Sequence, residues 1–189
     1  MTVRRLGLFG GTFDPPHFGH VAALRAAAAI GRFEVIEVTV AGNPYQKVAS
    51  SVVRPASLRL AMARAAFDGL ALVEVSDREI RREGPSYTID TVRELLEDCD
   101  EVDLVVGADL VEQIDSWHEA AALQRLVRVG VVPRPGGSGR ASPGWDAYDI
   151  EMDPVDLSST FIRELAADPE NLRDYVPASV IPLYESFQG

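Results

Sequence analysis

The chain has 189 residues, 47% hydrophobic and 25% charged, an ordinary globular composition with room for a sizeable core. Its net charge of −11 argues against the classes that wrap DNA or RNA by neutralising phosphates. Its apolar runs fall short of the roughly 18 to 20 residues that span a bilayer. The opening "MTVRRLGLFGG" has too short an apolar run for a signal peptide, and Cys99 is the single cysteine. No internal disulfide can form, and a cytoplasmic setting is expected, with neither nucleic acid nor membrane as a partner.

In chain order, strand-like apolar runs lie at residues 4–9, 34–42, 70–77, 101–109 and 126–134, with "YDIEM" (148–152) a weaker sixth. They are β-branched and nearly continuously apolar, as buried parallel strands are. Helical patterns alternate with them. "HVAALRAAAAI" aligns Val21, Leu24 and Ala28, and "PASLRLAMARAAF" aligns Leu58, Met62 and Ala65 behind Pro55. "TIDTVRELLEDC" aligns Ile89, Val92, Leu96 and Cys99, where the thiol reads as structural. "LVEQIDSWHEAAAL" reads as one helix with Leu110, Ile114 and Trp117 on its inner face, leaving His118 on the surface. Residues 135–147 read as a mobile surface loop, and the acidic runs "ELLEDCDEVD" and "DPEN" as solvated surface.

This alternation predicts an α/β fold: a doubly wound, Rossmann-like, mostly parallel sheet with helices on both faces. One domain is expected over residues 1–189, with a small helical part from about 157. In such sheets ligands sit beyond the carboxyl ends of the strands, where strand order reverses. The loops at 10–20, 41–51, 77–88, 107–109 and 133–147 are therefore the places to look.

The first of them, "GGTFDPPHFGH", holds two of the three histidines in the chain. Gly10 and Gly11 let backbone approach a ligand closely, and Pro15 and Pro16 stiffen the loop. A helix starting near Gly19 or His20 would turn its unpaired N–H groups toward the same place. With His17 and His20 as side-chain donors, the combination suits a polyphosphate. Neither a P-loop nor a G-x-G-x-x-G motif is present. Lys47, the single lysine, lies in the loop "AGNPYQKVAS". Asp109 follows the fourth strand, where it could accept from a ribose hydroxyl or cap the next helix. Arg134 follows the fifth, placed either to reach a nucleotide or to cap a strand end. Ser158, Ser159 and Thr160 open a predicted helix, where hydroxyls can cap it or hold phosphate.

These stretches carry a family resemblance. "GGTFDPPHFGH" resembles the [HT]-x-G-H signature of the nucleotidyltransferase α/β phosphodiesterase superfamily, and its longer form is similar to that of the bacterial nicotinate-mononucleotide adenylyltransferases. "GNPYQK" resembles that family's lysine loop, although "PPHK" is the more usual form. "PSYTIDT" (85–91), "GADLVEQIDSWH" (107–118), "PRPG" (133–136) and "LSSTFIR" (157–163) resemble further segments, in the family's order. The resemblance implies transfer of AMP from ATP to nicotinate mononucleotide, giving deamido-NAD and pyrophosphate. It implies phosphate contacts from His17, His20, Lys47 and Arg163. Nucleotide contacts would come from Gly10, Gly11, Thr12, Phe13, Gly107, Asp109, Arg134, Ser158, Ser159 and Thr160. Thr88 and Trp117 would surround the pyridine ring, where an indole can stack on a cationic ring.

An acceptor phosphate with a second pKa near ~6 is already largely dianionic at pH 7, so a protein nucleophile is not needed. Mg²⁺ is expected to arrive on the ATP phosphates, with no metal site in the protein. Other acceptors remain open, namely nicotinamide mononucleotide and phosphopantetheine, as do cytidylyl transfer and a non-catalytic nucleotide sensor. A homo-oligomer is also left open.

Overall fold

The computed structural model describes residues 4–44, 53–136, 139–165 and 169–187. All six apolar runs become strands: β1 (Arg5–Gly11), β2 (Val35–Val40), β3 (Val73–Ser76), β4 (Glu101–Gly107), β5 (Val127–Val132) and β6 (Ala147–Asp149). They pair in parallel throughout, in the order β3-β2-β1-β4-β5-β6. Parallel neighbours need crossovers, and helices supply most of them, burying both faces of the sheet.

The helices divide between the two faces. α1 (Phe18–Ala29) and α2 (Ala56–Phe67) share one core with α7 (Ser159–Leu165) and α8 (Ile181–Glu185), built around Leu24, Ile36, Met62, Phe67, Ile162 and Tyr184. A short helix, α3 (Arg78–Arg81), leads to α4 (Thr88–Leu95), which packs on the opposite face with α5 (Ala108–Val111) and α6 (Ala120–Leu123). That second core contains Leu8, Ile89, Val92, Leu104, Val111 and Leu123.

Four sequence expectations are corrected. Residues 110–123 do not form one helix: α5 ends at Val111, a 3-10 turn covers Ile114–Ser116, and α6 begins at Ala120 after Glu119, whose φ is 51°. Burying Val111, Ile114 and Leu123 in one core decides this local path over helix propensity, and Leu110 is left 41% exposed. α2 is rotated by one position, so its buried stripe is Arg59, Met62, Ala63, Ala66 and Phe67.

The 135–147 segment is more than a surface connector, because Trp145 is buried and its Nε1–H donates to Asp115 Oδ1 at 2.8 Å. The run "ELLEDCDEVD" ends on Asp103, which is fully buried within β4. Its carboxylate accepts from Tyr148 Oη at 2.9 Å and from Arg32 Nη2 at 3.1 Å. Burial and the Asp103 charge push the Tyr148 phenol well above its ordinary pKa. Side chains of "DPEN" lie outside the described residues.

Strand order reverses between β1 and β4, and the two part there. Their pairing runs from Arg5↔Glu101 to Leu8↔Leu104. Beyond it, β1 stays paired with β2 up to Gly11↔Val40, and β4 with β5 up to Gly107↔Val132. A cleft opens between Phe9–Gly11 on one side and Val105–Gly107 on the other.

Candidate active site

The cleft is lined by Phe9, Gly19, His20, Gly107, Arg134 and Val155, among others. The structure thus brings together residues from three separate sequence motifs. α1 begins at Phe18, slightly earlier than expected, with His17 as its extended N-cap (φ −142°, ψ 172°). The ring of His17 is 1% exposed and stacks on that of His20, centroids 3.7 Å apart. The His17 backbone N–H donates to Nδ1 of His20 at 3.1 Å. Nδ1 is therefore an acceptor, and the neutral His20 ring carries its proton on Nε2. Of the two histidines, His20 is the one that reaches the cleft.

Gly10 is exposed at the end of β1, as a backbone contact would require. Gly11 has a second reason to be glycine: a Cβ there would lie 2.8 Å from Cζ of Phe13. The Phe13 ring is 2% exposed and packs edge-on against Phe67, at a centroid distance of 5.5 Å. Phe13 itself adopts φ 51°, a conformation that costs an L-residue energy and needs support from its surroundings.

Much of that support comes from residues the sequence reading passed over. Arg59, 1% exposed, reaches from α2 to three carbonyl oxygens. Nε donates to Arg54 at 2.9 Å, Nη1 to Thr12 at 2.9 Å and Nη2 to Gly42 at 3.3 Å. Burial pushes its pKa down, and the Asp14 charge works against that. Arg54 donates from Nη1 to Asp14 Oδ1 at 3.0 Å and from its backbone to Oδ2 at 3.1 Å, while its guanidinium lies 3.8 Å over the Tyr184 ring. A signal for Arg59 was present, since it sits three and four residues before Met62 and Ala63 on α2. A charged residue within a buried stripe marks a fixed partner set.

The predicted helix at "SST" docks onto the same loop. Ser158 Oγ accepts from the Phe161 N–H at 3.1 Å, and Ser159 Oγ donates to the Pro15 carbonyl at 2.9 Å. Arg163 donates from Nη1 to the Asp14 carbonyl at 2.8 Å and from Nη2 to Thr160 Oγ1 at 3.1 Å. Across the cleft, Arg134 Nη1 donates to the Leu157 carbonyl at 2.5 Å, and its Nε lies 3.9 Å from Asp109 Oδ1. Thr88 opens α4, and Trp117 is half-buried against the second core. Tyr87 and His118 bring their segments together, stacked at 3.9 Å, so His118 does more than face solvent. Lys47 lies outside the described residues. Among the described residues, no three or more His, Cys, Asp or Glu are placed to hold a metal ion.

Residues 8–165 match the cytidylyltransferase-like family. A Shouchella clausii protein named "probable nicotinate-nucleotide adenylyltransferase" is 37% identical over 186 residues, covering 97% of this chain and 95% of the relative. A Dehalococcoides mccartyi protein of the same name is 34% identical, covering 95% and 94%. The chain belongs to the nicotinate-nucleotide adenylyltransferase family. Membership makes it a nucleotidyltransferase, and the fold agrees with solved structures of that family. The Plasmodium falciparum nicotinic acid mononucleotide adenylyltransferase complexed with NaAD superposes with a TM-score of 0.82 at 16% identity, over 97% of this chain and 95% of the other. The same enzyme complexed with APC gives 0.76. Among the described residues, no helix is long and apolar enough to cross a membrane.

Proposed function

We propose that this adenylyltransferase moves AMP from ATP to nicotinate mononucleotide, releasing pyrophosphate and forming deamido-NAD in the cytoplasm. The carrying observation is the cleft where β1 parts from β4, with His20, Gly107 and Arg134 around it. The acceptor phosphate is the nucleophile, and its oxygen attacks the α-phosphorus of ATP as the bond to the β-phosphate oxygen breaks. What the protein supplies is alignment of two anions and donors where charge builds up. His20, with its proton on Nε2, donates at the reacting phosphate, and His17 caps the helix that holds it. Backbone at Gly10, Gly11, Thr12 and Phe13 approaches the nucleotide.

Gly107, Asp109 and Arg134 form the far wall for the nucleoside. Ser158, Ser159, Thr160, Arg163 and Lys47 attend the leaving pyrophosphate. Thr88 and Trp117 take the pyridine ring. Mg²⁺ enters with ATP, held by its phosphates and water, and offsets their charge. Neither a nucleic acid nor a membrane takes part.

Pyrophosphate release, measured with ATP and each of nicotinate mononucleotide, nicotinamide mononucleotide and phosphopantetheine, tests the assignment. The expected order places nicotinate mononucleotide first in kcat/KM. A larger value for phosphopantetheine would overturn it.

A further inference from the structure

We propose that Arg59 is a positioning residue of the adenylyl transfer, a single side chain that sets the loops after β1 and β2 relative to each other. This rests on the function proposed above. A buried cation surrounded by carbonyl oxygens is costly to desolvate and persists where its partners need fixing. Its three partners, Thr12, Gly42 and Arg54, come from three chain segments: the loop after β1, the loop after β2 and the approach to α2. The guanidinium is flat and presents its N–H groups in a rigid fork, so it dictates the directions of those carbonyls as well as their distances.

Two of these carbonyls carry the effect further. In a trans peptide the C=O and the following N–H point in opposite directions. Drawing the Thr12 carbonyl toward α2 therefore turns the Phe13 N–H away from α2, and holds the peptide that enters Phe13's φ of 51°. Drawing in the Gly42 carbonyl leaves the Asn43 N–H to face the other way, where it donates to Ser86 Oγ at 3.1 Å. The Ser86 N–H returns a bond to the Asn43 carbonyl at 3.1 Å, immediately before Tyr87 and Thr88. Gly42 tolerates no side chain here, since a Cβ would lie 2.4 Å from the Glu79 carbonyl oxygen. Arg59 thus reaches the triphosphate side through Thr12 and the acceptor side through Gly42, Asn43 and Ser86. Arg54, its third partner, ties the same point to Asp14 through a salt bridge of 3.0 Å.

The test compares Arg59→Lys and Arg59→Met with the parent enzyme in steady-state kinetics with ATP and nicotinate mononucleotide, alongside circular dichroism and thermal unfolding. Lysine keeps the charge but loses the fork. Arg59→Lys is expected to fold, with the KM for ATP raised about tenfold, and with kcat lowered about tenfold, a fraction of the loss seen when a transition-state donor is deleted. Arg59→Met is expected to lose at least about a hundredfold in kcat/KM. A loss of folded fraction alone lowers apparent kcat and leaves both KM values unchanged. Arg59→Lys with both KM values unchanged, or failure of both variants to fold, would assign Arg59 to the fold alone and overturn the inference. Absence of activity in the parent enzyme would instead overturn the assigned reaction.

Discussion

Replacing Phe13 probes the support of the first loop most directly. Its ring is 2% exposed and contacts Phe9, Phe67 and His20 at centroid distances of 5.9, 5.5 and 5.1 Å. Truncation to alanine loses the transfer of a buried aromatic and leaves a cavity, about 3–5 kcal/mol. For a chain of this size that lowers Tm by roughly 10 °C. Glycine at the same position should be less harmful than alanine, against the usual order. The backbone at φ 51° costs an L-residue about 1–2 kcal/mol and glycine almost nothing. The extra freedom of unfolded glycine takes back about 0.5–1 kcal/mol. Phe13→Gly should therefore exceed Phe13→Ala by roughly 0.5–1 kcal/mol in urea unfolding followed by circular dichroism. Phe13→Ala within about 1 kcal/mol of the parent, or Phe13→Gly less stable than Phe13→Ala, would refute the reasoning.

Gly11→Ala should cost about 1–3 kcal/mol by pushing against the Phe13 ring, and become nearly neutral in a Phe13→Ala background; a double-mutant cycle without coupling would contradict the contact. His20→Ala should cut turnover at least about a hundredfold with the fold intact, measured as pyrophosphate release. Near-normal turnover would remove its role.

Burial, the leading cause, pushes the Cys99 thiol above its ordinary pKa. Alkylation of the folded protein should therefore need a higher pH than alkylation of a peptide thiol. The folded value is the raised one, so the stabilisation from the neutral thiol is present below the unfolded pKa of about 8.5 and fades as pH climbs through the folded value. Cys99→Ala should flatten the alkaline loss of stability, and an unchanged slope would speak against it.

Strands β1, β2, β4 and β5 were legible because buried parallel strands write themselves as nearly continuous apolar runs, whereas β6, three residues long at the sheet edge, left only a weak trace. The strand–loop–helix setting of His17 and His20 was legible for the same reason. Two kinds of feature were not. The break of 110–123 into short pieces depends on where Ile114 and Leu123 meet the second core, which no local period records. The stripe on α2 was drawn one position off because Arg59 looks like a surface residue until its partners, distant in sequence, are known, and Asp103 in β4 was read as solvated for the same reason. Polar groups buried against remote carbonyls or side chains leave a charge in an apolar register as their only trace.

The parting of β1 from β4 has a consequence for how the protein meets other molecules. Strand edges normally lie on the rim of a sheet, where they invite pairing with foreign chains. Here two short edges, Phe9–Gly11 and Val105–Gly107, stand inside the sheet, each backed by a strand still paired on its far side. Main-chain groups at such an inner slot can serve a slender guest while an incoming β-strand has no flank along which to align. At this slot the fold keeps hydrogen-bonding capacity open to small molecules and closed to an added strand.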